Sequence, residues 1–163
     1  MVQERESFPA LIGGLPGRRC ISIRRFQHQA EGLPTGDAGA VEFAWDDGTH
    51  LTLDANADWT LDISAQQWLD PFAPVSVSQR AQLAMEVGVW ERASIGADLS
   101  RLIGQVVTST APEFNEVGEL TGLTVAFDDM SVSARVFGGK LAVETGLDPV
   151  TYVTKANGSE QCR

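Results

Sequence analysis

The feature that most constrains this chain is a pattern that occurs twice. Val41-Glu42-Phe43-Ala44-Trp45-Asp46-Asp47 matches Leu123-Thr124-Val125-Ala126-Phe127-Asp128-Asp129 in its apolar positions, its central alanine and its Asp-Asp pair. Two further matches keep the same order: Leu15-Pro16-Gly17 with Leu102-Ile103-Gly104, and Phe26-Gln27 with Phe114-Asn115. Downstream, Leu51, Trp59, Leu61 and Ile63 have counterparts in Val132, Leu141 and Val143. Ordered matches with drifting spacing are what a duplicated unit with altered loops leaves behind.

The matched blocks alternate with period two, the signature of strands with one buried face. Val41, Phe43 and Trp45 point one way; Glu42, Ala44 and Asp46 point the other. Leu51 and Leu53 continue the inward set, as do Trp59, Leu61 and Ile63. The second block repeats this at Leu123, Val125 and Phe127, then Val132, Ala134 and Val136, then Leu141 and Val143. Asp46-Asp47-Gly48 and Phe137-Gly138-Gly139-Lys140 have hairpin-turn chemistry, since glycine accepts positive φ and aspartate tolerates it.

Ahead of each block, residues 10–17 and 97–104 carry apolar residues at helical spacing and end in glycine, predicting a short helix with a glycine stop. Ser94 or Asp98 is expected to cap the second. The first edge of each sheet is expected at residues 19–26 and 105–110. Residues 68–74 hold two prolines and read as a connector. Residues 81–90 fit either period; Val87-Gly88-Val89-Trp90 favours a strand running to Arg92. The expected fold is α+β, mainly β: two pseudo-symmetric halves in one compact body, each a short helical segment plus an antiparallel meander. The halves span residues 1–72 and 73–150, followed by a polar tail, 151–163.

A chain of 163 residues can bury about 70% of its unfolded surface. Hydrophobic residues make up 43% of it, and the mean hydropathy of −0.07 is that of a globular chain. No apolar run approaches the ~20 residues of a membrane helix. Met1 to Glu6 shows no secretory h-region, which makes the cytoplasm the expected location. Cys20 lies in an alternating apolar stretch and is expected to be a buried thiol. Cys162 is next to last, and neither cysteine has metal-ligand spacing. With no secretory leader, the sequon at Asn157-Gly158-Ser159 reads as chance.

The net charge is −10, and its distribution is uneven. Between Arg25 and Arg80 there is no Lys or Arg, while Glu31, Asp37, Glu42, Asp46, Asp47, Asp54, Asp58, Asp62 and Asp70 fall in that window. A second base-free window, from Arg101 to Arg135, holds Glu113, Glu116, Glu119, Asp128 and Asp129. Such a field repels nucleic acid and anionic membranes and attracts a basic partner; plain solubility is the simpler use of it. The only dense basic cluster, Arg18, Arg19, Arg24 and Arg25, is explained by ion pairs within the chain.

No catalytic motif is present: no Gly-x-Ser-x-Gly elbow, His-Glu-x-x-His, P-loop or dinucleotide fingerprint. His28 and His50 are isolated, which leaves no site constellation around them. Adjacent acids split to opposite faces of a strand or fill its turn, so neither Asp-Asp pair forms a glycosidase dyad. Asp54-Ala55-Asn56-Ala57-Asp58 has oxygen ligands at alternate positions but lacks the glycine and distal Glu of a calcium loop. No cofactor or metal is implied.

Trp45 and Trp59 sit at inward positions, whereas Trp68 and Trp90 are candidates for a partly exposed aromatic face or for capping the core edge. The function these observations favour is a non-enzymatic, acidic protein-binding module, of inhibitor or immunity type, covering a basic partner such as a toxin. Its expected surface is Glu42, Asp46, Asp54, Asp58, Asp62 and Trp68. A small hydrolase or carbohydrate-binding β protein, and a structural subunit of a larger assembly, are the alternatives.

Overall fold

The computed structural model describes residues 7–29 and 38–147. Its elements run α1 (Phe8–Gly13), β1 (Cys20–Gln29), β2 (Ala38–Trp45), β3 (His50–Ala55), β4 (Leu61–Ser64), α2 (Val77–Glu86), β5 (Val89–Ala93), α3 (Gly96–Ser100), β6 (Ser109–Phe114), β7 (Leu120–Ala126), β8 (Met130–Phe137) and β9 (Lys140–Leu147). They form two antiparallel sheets, ordered β4-β3-β2-β1-β5 and β6-β7-β8-β9. The protein is α+β, mainly β. Each sheet contains a four-strand meander preceded by a short helix, and the matched blocks, β2 and β7, hold second place in their meanders.

The inward positions of the alternating runs build one core between the facing sheets. Phe43, Trp45, Leu51, Leu53, Leu61, Leu123, Val125, Phe127, Val132, Ala134 and Leu141 are all buried in it. The Trp45 ring stacks on Phe43 at 5.7 Å and on Phe127 of the other sheet at 6.3 Å. The helices seal one end with Ile12, Leu15, Leu99 and Leu102. Cys20 is fully buried there, and burial pushes its thiol up to about 12.

The segments after the two helices exchange main-chain hydrogen bonds reciprocally. Gly17 N–H donates to Val107 O at 2.8 Å and Gly104 N–H to Cys20 O at 2.7 Å; Cys20 N–H donates to Gln105 O and Val107 N–H to Arg18 O, both at 2.9 Å. Each segment opens on a glycine of positive φ, +90° at Gly17 and +93° at Gly104. The hairpin aspartates brace the same place: Asp46 Oδ1 accepts Arg19 N–H at 3.0 Å, and Asp128 Oδ2 accepts Val106 N–H at 3.2 Å.

Several expectations are corrected. Residues 81–86 are helical, not strand. Ser76 and Gln79 close a reciprocal capping box that starts α2, and Gly88, at φ +84°, ends the turn before β5. The strand expected to run to Arg92 is only β5. β5 pairs with the free side of β1, so β1 is interior rather than an edge. Residues 105–108 serve the exchange described above, and the second sheet begins at Ser109. Neither Ser94 nor Asp98 caps α3, whose N-cap is Ile95 with no side-chain hydrogen bond. Trp59 is not in the core; it is 63% exposed. Cys162, the sequon, the tail and the acids Glu31 and Asp37 lie outside the described residues.

Phe43 fills the centre of the core at 1% exposure. Phe43→Ala should cost about 3–5 kcal/mol through lost transfer energy and the remaining cavity. Urea unfolding of the variant measures it; an unchanged midpoint would mean that the inward face has been wrongly assigned.

Candidate functional site

The six residues expected on one surface separate into three places. Glu42 is on the outer face of the first sheet but is 2% exposed, because the segment after β4 crosses over it. Arg24 grips its carboxylate with two hydrogen bonds of 2.8 Å, and Trp68 N–H donates to it at 2.6 Å. Trp68 is half-buried, with its ring stacked on Phe26 at 3.7 Å. Thr52 Oγ1 donates to Gln66 O at 2.8 Å, tying down the same crossing. His50 Nδ1 stands 3.8 Å from Glu42 Oε1. Glu42 and Trp68 are therefore parts of an internal seam, and the outward position of Glu42 gives no exposed charge.

Asp46 lies at the β2–β3 turn and is used to brace the Arg19 amide. Its neighbour Asp47 pairs with Arg18 at 3.0 Å, and the hydroxyl and amide of Thr49 hold its carboxyl below the usual range. Antiparallel strands put successive turns at opposite ends. Asp54, Asp58 and Asp62 are thus gathered at the other end of the first sheet, around the β3–β4 turn. These three form the candidate site.

Asp54 and Asp62 face each other directly across β3 and β4. Like charges in that position destabilise a sheet. Burial pushes the Asp54 carboxyl up from its ordinary 3.8; the Ala55 amide opposes this, the Asp62 charge adds to it, and Arg25 offsets it from a distance. Arg25 is itself buried and donates to Leu141 O at 2.8 Å. Among the described residues no ion pair is made by Asp54, Asp58 or Asp62. Asp58 Oδ1 accepts the Thr60 amide at 3.1 Å and the Thr60 hydroxyl at 2.6 Å, which lowers its pKa and keeps it charged.

Trp59 completes the site. Three of the described turns share one hydrogen-bond scheme. In each, the carbonyl of the first residue accepts from the fourth and its N–H donates to the carbonyl of the fifth: Trp45 with Gly48 and Thr49, Asn56 with Trp59 and Thr60, and Asn115 with Gly118 and Glu119. The fourth position takes positive φ, +84° at Gly48 and +82° at Gly118. At the β3–β4 turn that position is Trp59, at φ +67°, the only non-glycine residue with positive φ among those described. A bulky residue held there carries backbone strain. Its indole edge lies against Gly139 of the β8–β9 turn, where a Cβ would come within 3.3 Å of Nε1.

The sequence reading assigned Trp59 to the core because it continues the alternation of Leu61 and Ile63. The better signal was the shared Asp-x-Thr of Asp47-Gly48-Thr49 and Asp58-Trp59-Thr60, which puts tryptophan where the sister turn has glycine. The loop weighed for calcium, Asp54 to Asp58, brings together no three metal-binding side chains among the described residues.

The chain has no significant match to any protein-family model, curated protein or solved structure. The site is therefore read from its own chemistry.

The raised Asp54 carboxyl gives a test of its surroundings. A carboxyl raised by folding favours the folded state while protonated. That contribution is present below 3.8 and is lost as pH rises through the raised value. Asp54→Asn keeps the Ala55 bond and removes both the penalty of burying the charge and the repulsion. Its stability should match wild type near pH 3 and exceed it by about 0.5 kcal/mol at pH 7. Urea melts at the two pH values decide this; equal stability throughout would show that neither burial nor the pairing with Asp62 penalises the Asp54 charge.

Proposed function

We propose that this chain is a non-enzymatic protein-binding module of two duplicated halves, and that it docks a basic partner at the β3–β4 end of its first sheet. The observation that carries this reading is Trp59. The turn accepts backbone strain in order to hold a largely exposed indole beside Asp58, at the end of the sheet where Asp54 and Asp62 face each other. An exposed tryptophan is the side chain most suited to anchor an interface. Carboxylates that make no ion pair speed encounter with a cationic surface and lose their mutual repulsion when lysine or arginine arrives. The expected surface is thereby narrowed to Asp54, Asp58, Asp62 and Trp59.

The duplicated-halves reading draws on the reciprocal hydrogen bonds. A shift of 87 carries residues 17–20 onto 104–107, and under it the Gly17–Val107 bond exchanges with the Gly104–Cys20 bond. Asp46 and Asp128, equivalent in the matched blocks, brace equivalent amides. These relations support two copies of one unit facing each other about a local two-fold axis at the bridge between Arg19 and Val106.

The two glycines should then be equally intolerant. Gly17→Ala and Gly104→Ala should each lose about 1–2 kcal/mol, the cost of an L side chain at left-handed φ. A large loss at one and none at the other, in matched urea melts, would break the equivalence.

The binding surface is tested with a capped lysine–alanine peptide, titrated at low and physiological salt. Asp58→Asn with Asp62→Asn should lose most of the affinity and most of its salt dependence. Asp47→Asn with Asp129→Asn, at turns on the opposite end, should lose little. Trp59→Gly should stabilise the fold by about 1 kcal/mol, since glycine relieves the left-handed strain, yet weaken the peptide. Equal losses from both pairs of substitutions would return the effect to net charge alone.

A further inference from the structure

The two sheets carry the same kind of outer face, but only one is covered by described residues. On the first, the bidentate Arg24–Glu42 pair lies beneath the chain that follows β4. That cover makes three contacts: Trp68 N–H to the Glu42 carboxylate, Gln66 O to the Thr52 hydroxyl, and the Trp68 ring on Phe26. On the second sheet Arg135 grips Glu113 in the same bidentate manner, Nε and Nη2 each donating at 2.7 Å. The pair spans β7 over Gly122, where a Cβ would come within 2.8 Å of Glu113 Oε2. Beside it runs a groove of about 360 Å³, lined also by the Thr121 and Ser133 hydroxyls, Phe137 and Glu144. The Phe137 ring is 83% exposed. The groove thus repeats the carboxylate acceptor, the hydroxyl donor and the aromatic platform of the covered face.

We propose that this groove binds an extended segment of the partner protein carrying an aromatic side chain, as the face of the first sheet binds the segment around Trp68. The proposal rests on the protein-binding reading and names the element recognised. The aromatic ring stacks on Phe137, a main-chain N–H of the segment donates to Glu113 or Glu144, and a carbonyl accepts from the Ser133 hydroxyl while Ser133 Oγ takes the Thr124 hydroxyl. The charge on Arg135 is already matched by Glu113, so the groove offers no free cation to an anionic ligand and favours a neutral or basic segment. The groove is continuous with the first site. Phe137 precedes the Gly138-Gly139 turn on which Trp59 rests, so one extended chain can cross the groove and reach the carboxylates beyond Trp59.

The probe is the protein's own covering sequence, a capped peptide of Ser64 to Leu69, titrated into isotope-labelled full-length protein. Carrying no charge, it tests the groove apart from the acidic end. Amide shifts should centre on Ser133, Arg135 and Ala142. Replacing the peptide's tryptophan by alanine, or Phe137→Ala in the protein, should weaken binding about tenfold; Asp58→Asn with Asp62→Asn should leave it unchanged. Phe137 is exposed at the end of β8, so its removal leaves the core intact. Scattered shifts, or equal binding by the alanine peptide, would overturn the proposal. So would failure of the peptide to bind together with shifts of the same three amides on Tyr152→Ala, which would give the groove to this chain's own C-terminal residues. Either failure leaves the lysine-peptide test at the β3–β4 end standing by itself.

Discussion

The structure turns on the main-chain exchange between residues 17–20 and 104–107. Four hydrogen bonds there join the start of one meander to the start of the other. They place Leu15, Cys20, Leu102 and Val107, each at most 1% exposed, beneath the two helices. Buried amides and carbonyls must find partners, and these segments find most of theirs in each other and in the hairpin aspartates. Two glycines make the geometry accessible, because their positive φ turns the chain from helix into the seam. With the strand origins fixed, the sheets can face each other only with Trp45 against Phe127, and the remaining core residues follow from strand alternation.

This explains how the sequence could be read and where the reading stopped. Period two separates two faces, and the inward positions of β2, β3, β7 and β8 were legible because burial and alternation agree there. Alternation does not say what lies over the other face. Glu42 was correctly outward and still buried, because a connector 26 residues on crosses it. The charge of a window was legible, but hydrogen bonding was not: Asp46 looked available and is committed to the Arg19 amide. Residues 81–86 went wrong because the valines around Gly88 carried strand propensity while the deciding capping box lay upstream at Ser76 and Gln79. Trp59 was missed for a related reason. Counting by twos across a turn ignores the extra residue that such a turn inserts.

Sorting the acids by what they hold leaves a short remainder. Glu42 is held by Arg24, Asp47 by Arg18, Asp70 by Arg80 and Glu113 by Arg135. Asp46 and Asp128 brace amides. In the first base-free window, the described carboxylates with neither an ion pair nor a hydrogen bond beyond their own strand or turn are Asp54, Asp58 and Asp62, and all three surround one turn. A net charge of −10 would be unremarkable spread over a surface. Confined in part to one end, it acts as a local field over roughly one Debye length, about 8 Å at physiological salt.

That remainder coincides with the one non-glycine residue of positive φ among those described, and the two facts point the same way. A glycine at position 59 would relax the turn, and the sister turns at Gly48 and Gly118 show that the scheme accepts it. Retaining tryptophan keeps the strain, exposes most of an indole and buries little apolar area in return. Asp54 facing Asp62 is likewise a repulsion that the fold gains nothing from. Packing among the described residues accounts for neither feature, whereas the proposed cationic partner would relieve the repulsion and cover the ring in a single contact. On the proposed reading, strain and unpaired charge at the same turn are the two halves of one binding surface, and the groove beside Phe137 continues it onto the second sheet.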